Sequence, residues 1–190
     1  MVSQPLVIGY HGCDLRIARK VISLQAHLKP SQNAWDWLGH VIYFWEDSLA
    51  RAKRWALEES QRQGSKIKYP AVLGAVIDLG NCLNLTDAEA LAHVKTAYQE
   101  YRRFCDSANL KMAQNRGPDL RVRYLDCAVM ETLHQLRREE GKQPYDTVRG
   151  FFMEGQELYA DAGFRELDHI QICVRGSGHI IGYFWPHPPP

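Results

Sequence analysis

The residues of this chain best suited to chemistry sit in short, glycine-bounded apolar runs. His11 and Gly12 follow Leu6-Val7-Ile8-Gly9-Tyr10, Tyr43 lies within Gly39-His40-Val41-Ile42-Tyr43-Phe44, and Gln171 lies within His169-Ile170-Gln171-Ile172-Cys173-Val174. A histidine brings a ring that hydrogen-bonds, and a glycine lets the backbone approach a flat ligand that a side chain would hold off. A tyrosine face attracts a cationic heterocycle by roughly 0.5–2 kcal/mol. A glutamine amide meets a hydroxyl, but it supplies neither a full negative charge nor a general base.

Other chemistries have less behind them. His11 and Cys13 stand two apart and invite comparison with a base and a nucleophile, yet no third group is identifiable to orient them. The 8 histidines show no paired metal-ligand spacing, so no metal is expected. Neither a P-loop nor a G-x-G-x-x-G run occurs, which excludes a Rossmann-type nucleotide site.

The elements that position these residues follow from the pattern. The run from Leu6 reads as a buried strand that delivers His11 to its C-terminal edge, followed by a helix capped by Asp14 over Leu15 to about Leu24. Ala34 to Trp45 is aromatic and β-prone, and Ser48 to Gln63 is a helix stopped by Gly64. Ala71 to Leu79 reads as a central strand. Thr86-Asp87-Ala88-Glu89 then has the form of a capping box, opening a helix with Leu91, Val94, Tyr98, Tyr101 and Cys105 on one face.

Lys111 to Arg123 reads as a loop and Tyr124 to Glu140 as a helix. Val148 to Phe152 and His169 to Val174 read as strands, and Ile180 to Phe184 as the return strand of a terminal hairpin turned at Gly176-Ser177-Gly178. The prolines from Pro186 onward end the sheet in a short tail, residues 186–190.

Composition narrows the class. A chain of 190 residues is one domain's worth, so a single unit over 1–190 is expected, and 45% hydrophobic with 24% charged residues is ordinary globular usage. With Lys+Arg 23 against Asp+Glu 22 there is no large single-sign field. The odd count of 5 cysteines, without a C-x-x-C pair and without a charged-then-apolar leader, predicts reduced thiols and a cytoplasmic location. No apolar run reaches membrane-spanning length, and no membrane partner is expected.

Taken in order, His11-Gly12, the Gly39-to-Phe44 block with the helix after it (Ser48-Leu49-Ala50-Arg51-Ala52), and the His169–Val174 run resemble the signatures of the ADP-ribosyltransferase superfamily. The resemblance is to its His-Tyr-Glu group, which includes poly-ADP-ribose polymerases and diphtheria-type toxins, and it spans nearly the whole chain. It implies an α+β fold of split, mostly antiparallel sheets with flanking helices around an NAD cleft. NAD would be the co-substrate, with no metal. His11 would bind a ribose hydroxyl, Gly12 would present its backbone to the nicotinamide amide, and Tyr43 would stack on nicotinamide.

The family's third motif contributes a glutamate, and Gln171 stands in that place. Positive charge at the ribosyl centre then lacks its carboxylate, so mono-ADP-ribosyl transfer is expected rather than chain extension. Deprotonation of the acceptor falls to the acceptor or to a nearby acid: Glu154, Glu157 or Asp168. A non-catalytic NAD- or ADP-ribose-binding module and an NAD glycohydrolase are the alternatives. Relatives frequently act as toxins or defence effectors, which implies a neutralising antitoxin as partner. Lys111, Arg116, Arg121 and Arg123 form the strongest basic group and would meet RNA or DNA if the acceptor is a nucleic acid, with Trp35 and Trp37 available to stack on bases.

Overall fold

The computed structural model describes residues 6–117 and 120–186; the prolines expected to close the tail, Pro188 to Pro190, lie outside these. In chain order the elements are β1 (Leu6–Asp14), α1 (Leu15–Ile22), β2 (Ile42–Glu46), α2 (Leu49–Ser60), β3 (Pro70–Asp78), β4 (Cys82–Asn84), α3 (Ala88–Ser107), α4 (Tyr124–Glu139), β5 (Thr147–Phe152), β6 (His169–Val174) and β7 (Ile180–Phe184). The class is α+β. The strands form one mixed sheet in the order β4-β5-β6-β2-β1-β3-β7. The β4–β5 pair is parallel and every other neighbouring pair is antiparallel.

One face of the sheet packs Phe44, Leu73, Ile77, Ile172 and Val174 against Ala18 and Val21 of α1. The other face carries two clusters. Val41, Leu83, Val148 and Cys173 meet α3 and α4, while Trp45 and Val72 meet Ala52 of α2. Strand alternation assigns each residue to a face. Near its end β1 turns directly into α1, because Asp14 closes the strand and caps the helix by accepting from the Arg16 amide at 3.0 Å. The same carboxylate accepts from the amides of Lys68 and Tyr69, at 2.8 and 3.1 Å, fixing the entry to β3.

Several expectations change. β1 does not end at His11 but runs on to Asp14, so His11 is a mid-strand residue. The aromatic stretch from Ala34 is strand only over Ile42–Glu46, because Asp36 folds a turn onto the Asn33 amide (2.9 Å) and Gly39 takes φ 86°. The cap of α3 is Asp87 rather than Thr86, whose hydroxyl is spent on Asn84 at 2.9 Å. α3 buries its small residues Ala90 and Ala97 together with Cys105, while Leu91 and Tyr98 stay 51% and 37% exposed.

The terminal hairpin does not form. Both edges of β6 are taken, by β5 and β2, and the chain crosses to the far edge, where β7 pairs with β3. Gly74 explains the docking: the volume its absent side chain would fill holds the Phe184 ring. Among the described residues the strands form one continuous sheet, in place of split sheets, although its centre is weakly laced between β1 and β2.

Candidate functional site

The weak lacing is where the sequence motifs meet. β1 and β3 pair continuously from Leu6–Asp78 to Asp14–Pro70, whereas β1 and β2 register only at Gly9–Glu46 and Tyr10–Trp45. The Asp47 amide donates to the Ile8 carbonyl at 3.0 Å. By the alternation of an antiparallel ladder, Ile8, Tyr10 and Gly12 all turn their amide and carbonyl toward β2. Past Tyr10 the registered ladder has ended, and at buried Gly12 the two strands part in a fork in the sheet.

His11 bridges that fork. Its Nδ1 lies 2.8 Å from the Tyr43 carbonyl oxygen, and because a carbonyl only accepts, Nδ1 carries the proton. Burial lowers the pKa of the ring, and the hydrogen bond to Tyr43 only partly opposes this. The ring is therefore neutral near pH 7, with a lone pair on Nε2 that no hydrogen bond engages among the described residues. Its face rests on Phe44, with ring centroids 5.7 Å apart.

Tyr43 is held tightly. Its hydroxyl donates to the Gly39 carbonyl and accepts from the Leu38 amide, both at 3.0 Å, and burial drives the phenol pKa far up. Across the sheet Tyr43 registers with Cys173 and Trp45 with Gln171, which also registers with Gly150. Tyr43 and Gln171 thus share a face. Gly12 turns the same way: a Cβ there would lie 2.8 Å from the Trp55 ring and 2.9 Å from the Ala52 carbonyl oxygen. His11 points to the opposite face, toward α1. The structure gathers Gly12, Tyr43 and Gln171 on one face and joins His11 to them through the Tyr43 backbone, without placing all of these side chains in one cleft.

The pairing of Arg51 with Glu154, an acid the sequence offers as a base, is not legible in the sequence. Arg51 of α2 is 8% exposed and its Nη2 donates to Glu154 at 2.6 Å, while its guanidinium carbon lies 5.6 Å from the Trp45 ring centroid. Arg121 approaches the other Glu154 oxygen at 3.6 Å. His169, on the same face of β6 as Gln171, places Nδ1 2.6 Å from the Leu167 carbonyl. Of the remaining acids considered as bases, the carboxylate of Asp168 has structural partners and Glu157 is tied through its backbone alone. Asp168 accepts from the amides of Glu154 and Arg165, at 3.2 and 2.9 Å, and Glu157 pairs through its backbone with Arg165.

In the basic group, Arg116 is bridged through its backbone to Val122, between Arg121 and Arg123. Arg123 lies over Trp37, 4.3 Å from the ring centroid, and pairs with Asp126 at 3.2 Å; Arg116 lies 5.9 Å from the Tyr124 ring centroid, and Lys111 is exposed. Trp37 packs edge-on against Phe152 and donates to the Arg121 carbonyl at 3.2 Å. Trp35 is 46% exposed beside Tyr124. Between α3, α4 and β5 lies a mainly apolar groove of about 640 Å³, lined by Val94, Tyr98, Phe151 and Met153 among others. Among the described residues, no group of three or more His, Cys, Asp and Glu is placed to hold a metal ion, and no helix is long and apolar enough to cross a membrane.

No family profile matches the chain, and no solved structure matches it. The chain is 24% identical over 204 residues to an uncharacterized protein of Methanocaldococcus jannaschii, covering 97% of this chain and 89% of that one.

Proposed function

We propose that the fork between β1 and β2 is an NAD site and that the protein transfers ADP-ribose from NAD to a macromolecular acceptor. The observation that carries this is the pairing of an unladdered Gly12 backbone with a neutral His11 whose tautomer leaves Nε2 as an acceptor. An amide and a carbonyl side by side suit a carboxamide, which needs one of each. The Tyr43 face suits the nicotinamide ring and the Gln171 amide the 2′-hydroxyl; His11 Nε2, on the other face, suits a ribose hydroxyl only of a ligand that enters the fork between the strands. In the reaction the bond from ribose C1′ to the nicotinamide nitrogen breaks, and nicotinamide leaves with the electron pair. An acceptor nucleophile bonds to C1′ and gives up its proton to solvent or to its own base.

Incubation with NAD labelled in the nicotinamide ring tests the reading against a panel of RNA, DNA and lysate protein. Nicotinamide release that is lost in His11→Ala, with the thermal melt retained, is expected. No release with any acceptor overturns transfer.

One observation favours a second reading, a module that binds NAD without consuming it. Gln171 carries no charge, and the carboxylate of Glu154 is committed to Arg51. Calorimetry separates the two readings, since a binding module returns its NAD intact. Free ADP-ribose without an adduct, seen by mass spectrometry, marks a glycohydrolase instead.

A further inference from the structure

Around Arg51 the donors exceed the acceptors. Among the described residues only its Nη2 is satisfied, by Glu154; Nε and Nη1 are buried with no hydrogen-bond partner there, as are Trp45 Nε1 and His169 Nε2. Buried N–H groups without acceptors are rare in proteins, and three on two stacked side chains, two on the guanidinium and one on the indole it covers, mark a place made for something else. The free Nε and Nη1 lie on different edges of the guanidinium and each edge is completed by Nη2, so a two-pronged match to the oxygens of a phosphate forms once Glu154 leaves Nη2. Trp45 adds a third donor. Burial lowers the pKa of His169 even beside Glu154, and its Nδ1 already donates to Leu167; a diphosphate, carrying more charge than that carboxylate, would favour a proton on Nε2 and make it a fourth.

We infer that Arg51, Trp45 and His169 form a subsite for a diphosphate, and that Glu154 fills it in the unliganded protein as a displaceable carboxylate. Glu154 is suited to leaving because the segment that carries it is bonded mainly to itself. Leu158 donates to Phe164, Glu166 to Gln156 and Leu167 to Glu154, all through the backbone, while Asp168 accepts from the Glu154 and Arg165 amides. Among the described residues, the ion pairs that tie this segment to the helices and loops outside it are those of Glu154 with Arg51 and Arg121.

Position supplies the connection to the fork. Trp45 registers opposite Gln171, and His169 lies two residues along the same face, a span of about 6–7 Å. That is the reach from a ribose 2′-hydroxyl to its 5′-phosphorus. Identifying the diphosphate as that of NAD rests on the function proposed above; the anion site itself does not.

Calorimetric titration with inorganic pyrophosphate, and separately with NAD, tests the inference on the wild type, Glu154→Gln, Arg51→Gln and the double variant. Removing the competing charge in Glu154→Gln should tighten pyrophosphate binding by about tenfold, the gain expected if Glu154 occupies the site nine-tenths of the time. Arg51→Gln should abolish it. If that variant fails to fold because Glu154 is left buried and unpaired, the double variant removes both charges and should fold without binding pyrophosphate. Unchanged or weaker pyrophosphate binding in Glu154→Gln overturns the subsite, as does binding retained without Arg51. Tightened pyrophosphate binding with no NAD binding keeps the subsite and removes NAD from the fork. NAD binding that ignores both substitutions keeps the fork and overturns the assignment of the subsite to the diphosphate of NAD.

Discussion

Replacing Asp14 by alanine should unsettle the end of β1, the strand that carries His11 and Gly12. Its carboxylate is 6% exposed and accepts from the amides of Arg16, Lys68 and Tyr69. Loss of the helix cap costs about 1 kcal/mol, and each of the other amides adds about 1 kcal/mol because it is only partly shielded. The contact to the Arg16 side chain adds little, since that guanidinium is 63% exposed. The sum is about 3 kcal/mol, or roughly 6–12 °C in Tm for a chain of this size.

Acid supplies a second reading of the same substitution. Burial alone would raise the carboxyl pKa, but the three amides and Arg16 outweigh it and hold the group far below the usual range. A depressed folded pKa gives stability that is complete above the unfolded value, about 3.9, and is lost as pH falls through the folded one. Urea unfolding at pH 7, 5 and 3.5 should therefore show a gap between wild type and Asp14→Ala that is constant at the first two and begins to shrink at the third. A gap below about 1 kcal/mol at pH 7, or one that widens in acid, refutes the assignment of these hydrogen bonds as the cause.

Tyr43→Phe keeps the ring and removes the hydroxyl that serves Leu38 and Gly39; it should cost about 1–2 kcal/mol in urea unfolding and leave nicotinamide release largely intact, whereas Tyr43→Ala should abolish release. Gly74→Ala drives a Cβ into the Phe184 ring and should cost about 1–3 kcal/mol; Phe184→Leu should recover part of that loss in a double-mutant cycle, and strict additivity would count against the contact. Burial, with Asp14 nearby, pushes the Cys13 thiol up to about 12, and burial with Glu131 nearby pushes Cys127 up to about 11. Peptide mapping after brief alkylation at pH 8 should find half-buried Cys82 modified first among the free cysteines and Cys13 and Cys127 protected until the protein unfolds.

Local signals carried most of the elements. β3 is legible from an uninterrupted apolar run, and α4 from Val129 and Leu133 at helical spacing, because the sequence pattern there records a face that is buried. β4 left no such record: Cys82–Asn84 is too short for a period and is a strand because β5 offers Leu83 a partner in Val148. The choice of β3 by β7 is a contact between distant residues, so a glycine-bearing turn beside it suggested the nearer strand. In the site, the His11-Gly12 pair and Tyr43 stand out as motifs, but the facing of His11 depends on how far β1 continues. Arg51 and Glu154 are 103 residues apart, and nothing local in either segment announces the other.

The crossing of the chain to β7 bears on how the protein is made. β3 emerges early in synthesis, yet the strand that covers its outer edge follows only after α3, α4, β5 and β6. Until then an apolar strand, Ala71-Val72-Leu73-Gly74-Ala75-Val76-Ile77, presents a row of free amides and carbonyls, the kind of edge on which other chains pair. During translation the vulnerable surface is therefore this edge, remote from the fork. Substitutions at Gly74 or Phe184 should lower soluble yield by more than their cost to the finished fold.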